Sequence, residues 1–333
     1  MAHSIIAIGA SAGGVKALRA LVSELPETFA AAILVVLHVG AQPSALPAIL
    51  NFAGRLAAKH GEDGEEILAG RIYVAPPERH MTVAGGRLRL SRGPKVNLAR
   101  PAIDPLFRSV AENYGPAAVG VILTGRLNDG TMGLIEIAKR GGIAIAQDVR
   151  DAAYPEMPAS AAAHVALDYS PRLAELAPLL MSLASGENGK DKTMSTSPSP
   201  PVIEHKVNPV AGGLFDRPAA LTCPDCGGAL KRSEFSAMTK FGCHIGHSYT
   251  AETMAIAQFE KMERMFRAAI RFLNERAEFC LQMAEPIYET DPALSATWHA
   301  ASKQALERAL KLRDLVEQDW IAPEARQLEP VGE

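Results

Sequence analysis

The stretch IIAIGASAGG at residues 5–14 decides the fold of this chain. Its first four residues have the length and unbroken hydrophobicity of a strand that is buried on both faces. The small residues that follow predict a tight turn, and apolar residues at helical spacing between positions 15 and 22 predict a helix after it. The pattern therefore places Ser11 on a turn between a buried strand and the start of a helix.

Ser11 has the setting of a nucleophile. Small neighbours leave its hydroxyl open to a ligand, and the first free amides of the helix face the same space, as acyl transfer requires. Two other interpretations remain. A dinucleotide-binding fold begins in the same way, although it would need glycine at Ser11 and an acid after the second strand, where His38 stands. Alternatively, the Ser11 hydroxyl only caps the helix.

The composition excludes several classes of protein. The chain has 333 residues, of which 48% are hydrophobic and 21% charged, with a net charge of -3. This length favours two domains, and a pI of about 6.3 argues against a nucleic-acid-binding protein. No apolar run reaches the roughly 20 residues that span a bilayer, and the amino terminus lacks the basic region of a signal peptide. We therefore expect a cytoplasmic protein, in which four cysteines form no disulfide framework and clustered cysteines more often hold metal.

Short apolar runs alternate with helical periodicity up to about residue 185. The predicted strands cover residues 5–8, 32–37, 72–75, 117–123 and 143–146, and helices are predicted at residues 43–56, 104–113 and 131–140. This alternation predicts an α/β fold, a doubly wound and mostly parallel sheet with helices on both faces. Residues 82–90 interrupt it with an antiparallel hairpin around Gly85-Gly86.

The rest of the chain divides by composition. We expect a catalytic domain at residues 1–185, followed by a polar, disordered linker at 186–218. A small zinc-ribbon-like module at 219–250, a helical hairpin at 251–320 and a tail at 321–333 complete the prediction.

Two further polar side chains follow predicted strands and could complete a catalytic site. His38 ends the second strand, and Asp129 lies between the strand at 117–123 and the next helix. The carboxyl ends of parallel strands meet at one edge of the sheet, so His38 could act as the base for Ser11 and Asp129 could orient it. The alternatives are a histidine bonded to a nearby carbonyl and an aspartate that caps the helix.

Six ordered blocks resemble the catalytic domain of the bacterial chemotaxis protein-glutamate methylesterases, the CheB type. They are IIAIGASAGG (5–14), VVLH (35–38), YVAPPERHM (73–81), RPAIDPLF (100–107), VGVILTGRLNDG (119–130) and MP (157–158). The resemblance implies a Ser-His-Asp triad at Ser11, His38 and Asp129. It also implies hydrolysis of glutamate γ-methyl esters on chemoreceptor helices without a catalytic cofactor, and deamidation of receptor glutamines in some members.

The same resemblance implies a substrate-binding set. The main-chain amides near Ala12 and Arg126 would bind the oxyanion, and Arg100 is a further predicted substrate contact. Ala12 stands where the family usually has threonine, and Arg126-Leu127 replace a usual Met-Gly pair. The Arg126 side chain either pairs with receptor carboxylates or is an ordinary surface arginine. Many members also carry an amino-terminal receiver domain, which this chain is expected to lack, so its regulation is expected to differ.

The carboxy-terminal cysteines have the spacing of a metal site. Cys223 and Cys226 form a C-x-x-C turn, and Cys243 and His247 follow after a hairpin-sized interval. These four residues predict a closed, structural zinc site, with His244 as the alternative fourth ligand. Cys280 lies within a predicted helix and is expected to belong to the core.

The amphipathic helices after this module have two possible roles. They pack within the protein, or they dock a signalling partner in place of the receiver. A second hypothesis for the whole chain is accordingly a catalytically idle adaptor that keeps the fold and binds partners through its carboxy-terminal unit.

Overall fold

A computed structural model describes residues 4–38, 43–186, 221–235 and 238–318. They form two compact units, one of residues 1–223 with 227–251 and the other of residues 224–226 with 252–333. The predicted linker from residue 187 onward, Trp320 and the predicted tail lie outside the described residues.

Strands and helices alternate over much of the described region up to residue 185, as the sequence predicts, although four strands follow one another between residues 57 and 91. The strands are β1 Ile5–Ala10, β2 Ala32–Leu37, β3 Ala57–His60, β4 Arg71–Val74, β5 His80–Ala84, β6 Arg87–Ser91, β7 Ala118–Ile122, β8 Ile143–Ala146, β9 Leu230–Phe235, β10 Met238–Cys243 and β11 Ser248–Thr250. The helices are α1 Gly14–Ser23, α2 Leu46–Ala53, α3 Ile103–Tyr114, α4 Thr131–Lys139, α5 Glu156–His164, α6 Leu173–Ser185, α7 Ala251–Ala284 and α8 Pro292–Val316.

A six-stranded sheet organises the first unit. Its strand order is β3-β4-β2-β1-β7-β8, and every neighbouring pair is parallel. Alternate side chains of β1 enter two separate apolar layers: Ile6 and Ile8 pack in the layer that includes α1, α2 and α6, and Ile5 and Ala7 in the layer that includes α3 and α4. Because both faces are covered, the central strands β1, β2 and β7 are buried throughout, and the predicted doubly wound α/β fold is confirmed.

Differences from the sequence prediction lie at the margins of the sheet. Strand β3 was not predicted because its residues AAKH form no apolar run, and it pairs only with β4 at the edge of the sheet. Helix α2 ends at Ala53, before Gly54, whose backbone is extended. The predicted hairpin is present as β5 and β6, with Gly85 and Gly86 at positive φ in its turn.

A second, three-stranded antiparallel sheet, in the order β11-β10-β9, belongs to the same unit as the central sheet. Met238 of β10 is buried in the apolar layer that includes α3 and the hairpin of β5 and β6. Ser248 of β11 forms a parallel bridge with Val96, which lies in the loop before α3. Strands β10 and β11 therefore pack against the catalytic domain.

The second unit consists mainly of α7 and α8. The two helices are separated near Pro286, since α7 ends at Ala284 and α8 begins at Pro292. The Phe279 and Trp298 rings meet edge to face with centroids 6.0 Å apart. Cys280 is fully buried, as expected of a core residue. None of the helices in the described ranges is long and apolar enough to cross a lipid bilayer.

Candidate active site

The candidate site lies where the strand order reverses. From β1 the chain crosses to β2 on one side, whereas β7 is followed by β8 on the other side. The loops after β1 and β7 therefore diverge, which leaves a crevice at the carboxyl ends of these strands. Ser11 follows β1, His38 follows β2, and Asp129 lies in the loop after β7.

The turn that carries Ser11 is held by the loop after β7. The Ser11 amide donates to the Thr124 carbonyl at 3.0 Å, and the Thr124 hydroxyl donates to the Ala12 carbonyl at 3.0 Å. Gly13 precedes α1 with φ 77, in the left-handed region that favours glycine. This backbone leaves the Ser11 side chain partly exposed at the edge of the sheet.

Gly125 lets three segments approach Ser11 closely. A Cβ at this position would lie 2.1 Å from the Met157 sulfur and 2.9 Å from the Ser11 Cβ. The Met157 amide also donates to the Gly125 carbonyl at 3.0 Å. Met157 therefore packs against Gly125, directly beside Ser11.

His38 and Asp129 are in direct contact. The Nε2 atom of His38 lies 2.8 Å from Oδ2 of Asp129, although the two residues are 91 positions apart. Because Ala10 pairs with Leu37, Ser11 and His38 are the next residues along neighbouring strands, whose spacing is about 5 Å. Within the part of the chain that the structure describes, the Ser11 hydroxyl makes no hydrogen bond, so Ser11 is a neighbour of this pair without being bonded to it.

Asp129 accepts hydrogen bonds from the start of α3. Its Oδ2 accepts the Ile103 amide at 2.6 Å, and its Oδ1 accepts the Asp104 amide at 3.3 Å and the Asn97 side-chain amide at 2.9 Å. The first free amides of a helix and its dipole both stabilise an anion. Asp129 therefore does not cap α4, whose cap position is Gly130, and instead holds α3 and the His38 ring.

The pKa values of the two buried carboxyls, Asp129 and Asp104, are shifted in opposite directions. Burial alone would raise the pKa of Asp129, but its hydrogen bond with His38, the His38 charge and the donors Ile103 and Asn97 outweigh burial, so this pKa lies below its usual range. Burial, followed by the Asp129 charge, raises the pKa of Asp104 to about 6. The geometry thus keeps Asp129 ionised. The repulsion between the two close carboxylates appears instead as the raised pKa of Asp104.

The predicted oxyanion and substrate residues have distinct surroundings. Within the described residues, the amides of Ala12 and Arg126 donate to no protein acceptor, so both are available to a ligand. The Arg126 guanidinium lies 5.2 Å from the centre of the Tyr154 ring. Arg100 forms an ion pair with Glu78 and donates to the carbonyl of Gly93, so its guanidinium is already engaged by the protein.

The sequence alone did not identify Asn97, Asp104 or Thr124 as site residues. Asp104 and Thr124 fall inside blocks of the resemblance, which is the one signal that could have singled them out. Asn97 precedes its nearest block, and its contact with Asp129 joins residues 32 positions apart.

The predicted metal ligands are close together. One atom each from Cys223, Cys226, Cys243 and His247 lies within 4.8 Å of the others, and His244 is not part of this cluster. A tetrahedral zinc with Zn–S bonds of about 2.3 Å places its ligand atoms about 3.8 Å apart, so the donor set fits this ion. The Tyr249 hydroxyl lies 3.3 Å from the Cys223 sulfur, as a partner that orients a ligand would.

Comparisons with known proteins agree on one family. The family model for CheB methylesterase matches residues 6–180. A putative protein-glutamate methylesterase/protein-glutamine glutaminase of Leptospira interrogans is 38% identical over 185 residues, 55% of this chain and 96% of that protein. Protein-glutamate methylesterase/protein-glutamine glutaminase 4 of Myxococcus xanthus is 45% identical over 156 residues, 46% of this chain and 44% of that protein, so this chain spans less than half of its length. The crystal structure of the Thermotoga maritima CheB methylesterase catalytic domain matches with 33% identity and a TM-score of 0.52, over 55% of this chain and 100% of that domain.

Proposed function

Because the chain belongs to the CheB methylesterase family, we propose that it is a serine esterase that hydrolyses glutamate γ-methyl esters on the cytoplasmic helices of chemoreceptors and releases methanol. The observation that carries the proposal is the 2.8 Å hydrogen bond between His38 and Asp129, one strand away from the Ser11 turn. The idle adaptor has no comparable support, since an adaptor needs neither the pair nor free amides beside the serine.

The geometry supports a separate role in the reaction for each residue of the site. The Nε2 of His38 donates to Asp129, so Nδ1 is the ring nitrogen left to take the Ser11 proton as the hydroxyl attacks the ester carbonyl. The free amides of Ala12 and Arg126 would stabilise the oxyanion. His38 then protonates the departing methanol, and a water molecule hydrolyses the acyl-enzyme by the same path. Asp129 stays ionised and holds the ring.

The same residues would deamidate glutamine side chains, an activity that the printed names of the relatives also include. The side-chain amide of glutamine presents the same kind of carbonyl to Ser11, and His38 would protonate the leaving nitrogen, so that ammonia departs in place of methanol. Both reactions give the same acyl-enzyme and therefore the same product, a glutamate carboxylate.

Methanol release from methylated receptor fragments tests the proposal. Ser11→Ala should lower turnover by about 10³-fold or more, because the nucleophile is removed. Ser23→Ala is the matched control, since the exposed Ser23 hydroxyl contacts only the Ala20 carbonyl of α1. A fluorophosphonate probe should label the wild type and not Ser11→Ala. Equal methanol release by Ser11→Ala and the wild type would contradict the assignment, and a wild type that neither reacts with the probe nor releases methanol would favour the adaptor.

We also propose that Cys223, Cys226, Cys243 and His247 hold a structural zinc ion. The support is the closeness of the four ligand atoms and the closed donor set, which leaves no position for a reacting water. Zinc there would stabilise the fold and take no part in the ester chemistry. Metal analysis of the purified protein should find about one zinc per chain, lost in Cys243→Ser and kept in Cys280→Ser. Absence of metal from the wild type would refute this assignment.

The proposed organisation keeps residues 1–185 as the catalytic domain. A cytoplasmic location is part of the same proposal, because clustered cysteines that hold metal are typical of a reducing compartment. A signalling partner for α7 and α8 is part of the same proposal. A pull-down with a chain truncated after residue 251 should lose that partner and retain esterase activity.

A further inference from the structure

Asn97 contacts both the acid of the candidate triad and the carboxy-terminal sheet. We propose that Asn97 is a positioning residue for Asp129 and that strand β11 holds Asn97 in place, so that the carboxy-terminal sheet is part of the active site. The inference rests on the proposed esterase function, because it concerns the same His38–Asp129 pair. It gives the segment after residue 227 a role in the reaction as well as in folding.

The side-chain amide of Asn97 serves two carboxylates at once. Its Nδ2 donates to Oδ1 of Asp129 at 2.9 Å and to Oδ2 of Asp104 at 3.0 Å. The three residues are 5%, 2% and 1% exposed, respectively, so water cannot substitute for these bonds. Two carboxylates this close repel each other in a buried site, and one amide group with two N–H bonds stabilises both. Loss of this amide is therefore expected to raise the pKa of Asp129 and to loosen the ring that it holds.

Strand β11 contacts the backbone of the same residue. The Asn97 amide donates to the Ser248 carbonyl at 2.9 Å, next to the bridge between Val96 and Ser248. Asn97 and Leu98 have φ of 50 and 67, in the left-handed region that costs free energy for residues other than glycine. This conformation has to be maintained by its surroundings, and Ser248 supplies one of the bonds that maintain it.

A second bond from β11 reaches the residue beside the acid. The Thr250 hydroxyl donates to Oδ1 of Asn128 at 3.1 Å, across 122 positions of the chain. Both side chains are buried, with Thr250 only 1% exposed. Ser248 acts through its backbone carbonyl and Thr250 through its side chain, so β11 supports Asp129 both through Asn97 and through Asn128.

Substitutions in the full-length chain separate positioning from simple stability. Asn97→Gly removes the side-chain amide, and glycine tolerates the positive φ of this position. Asn97→Asp adds a third carboxylate, and aspartate tolerates the positive φ less well than glycine. Loss of a charge-assisted bond predicts about a tenfold lower kcat for Asn97→Gly at unchanged KM, and a larger loss for Asn97→Asp. Thr250→Val removes only a hydroxyl and should lower kcat about threefold, roughly 0.7 kcal/mol. Thr239→Val is its matched control, because Thr239 is a half-buried threonine of β10 whose hydroxyl donates to Glu234 instead of to a residue near Asp129.

A readout without receptor keeps this test independent of the proposed substrate. The low-field proton resonance of the His38–Asp129 hydrogen bond should shift or broaden in Asn97→Gly and Thr250→Val and stay in place in Thr239→Val. Hydrolysis of p-nitrophenyl acetate gives kcat and KM for the same proteins, and thermal melting verifies that each is folded. An unchanged resonance and kcat in folded Asn97→Gly would overturn the role of Asn97. Equal behaviour of Thr250→Val and Thr239→Val would overturn the role of β11. A wild type that hydrolyses this ester but not methylated receptor would count against the proposed function alone.

Discussion

Replacing Asp104 by asparagine should change how the stability of the protein depends on pH. Asp104 is 1% exposed, its Oδ1 accepts the Gly133 amide at 2.7 Å, and burial together with the Asp129 charge raises its pKa to about 6. A carboxyl whose pKa is higher in the folded than in the unfolded chain binds its proton more tightly when folded. Its contribution to stability is therefore fully present below the unfolded pKa and is lost as the pH rises through the folded pKa.

The size of the effect follows from the two pKa values. An increase from 3.8 to about 6 is roughly two pKa units, and each unit corresponds to about 1.36 kcal/mol. Relative to Asp104→Asn, the wild type should therefore lose about 3 kcal/mol of unfolding free energy between pH 4 and pH 7.5. Asparagine also places an amide against the Asn97 amide, which adds a constant difference that does not vary with pH.

Urea unfolding followed by circular dichroism over this pH range measures the difference. Asp148→Asn is the control with the opposite sign, because hydrogen bonds from Arg150 hold the pKa of Asp148 below its usual range. The advantage that Asp148 gives the wild type is therefore lost only as the pH falls below the ordinary value of 3.8, so between pH 4 and pH 7.5 this control should change little with pH. Parallel stability curves for the wild type and Asp104→Asn would refute the account of the buried carboxyl pair.

Three further results are expected. Asp129→Asn should lower kcat about 10⁴-fold at neutral pH while the folded structure persists, because the ring loses its orienting charge; steady-state ester hydrolysis and a melting curve measure both. Gly125→Ala should destabilise the protein by about 1–3 kcal/mol and also slow turnover, because the new Cβ would meet the Met157 sulfur at 2.1 Å and the Ser11 Cβ at 2.9 Å; an unchanged melting temperature would contradict this. Chelation of the proposed zinc should lower the melting temperature to that of Cys243→Ser. Calorimetry with and without chelator measures this, and a melting temperature that the chelator does not change would contradict the zinc site.

Much of the fold could be predicted because its signals are local. Strands β2 and β8 begin and end as predicted, since a buried parallel strand is a short apolar run between turn residues. Strand β3 could not be predicted, because its residues AAKH show neither an apolar run nor an alternating pattern and the strand exists only through pairing with β4.

The reactive groups of the candidate site could be predicted from the sequence, but the contacts that hold them in place could not. Ser11 and His38 follow apolar strands, and polar residues at strand ends stand out in a sequence. The contacts that hold Asp129 ionised come from Asn97 and the start of α3, and nothing in their spacing marks them as partners. The same is true of Thr250, which reaches Asn128 across 122 positions.

The sequence by itself determined the strand–turn–helix around Ser11, the polar residues at the strand ends and the C-x-x-C turn. These features depend on backbone preferences and on apolar spacing within a few residues. Only the tertiary structure decided that Asp129 meets the start of α3 and that β11 lies against Asn97. Such contacts depend on which strands pair and on how buried surfaces fit together, and those free energies involve the whole chain rather than any one segment.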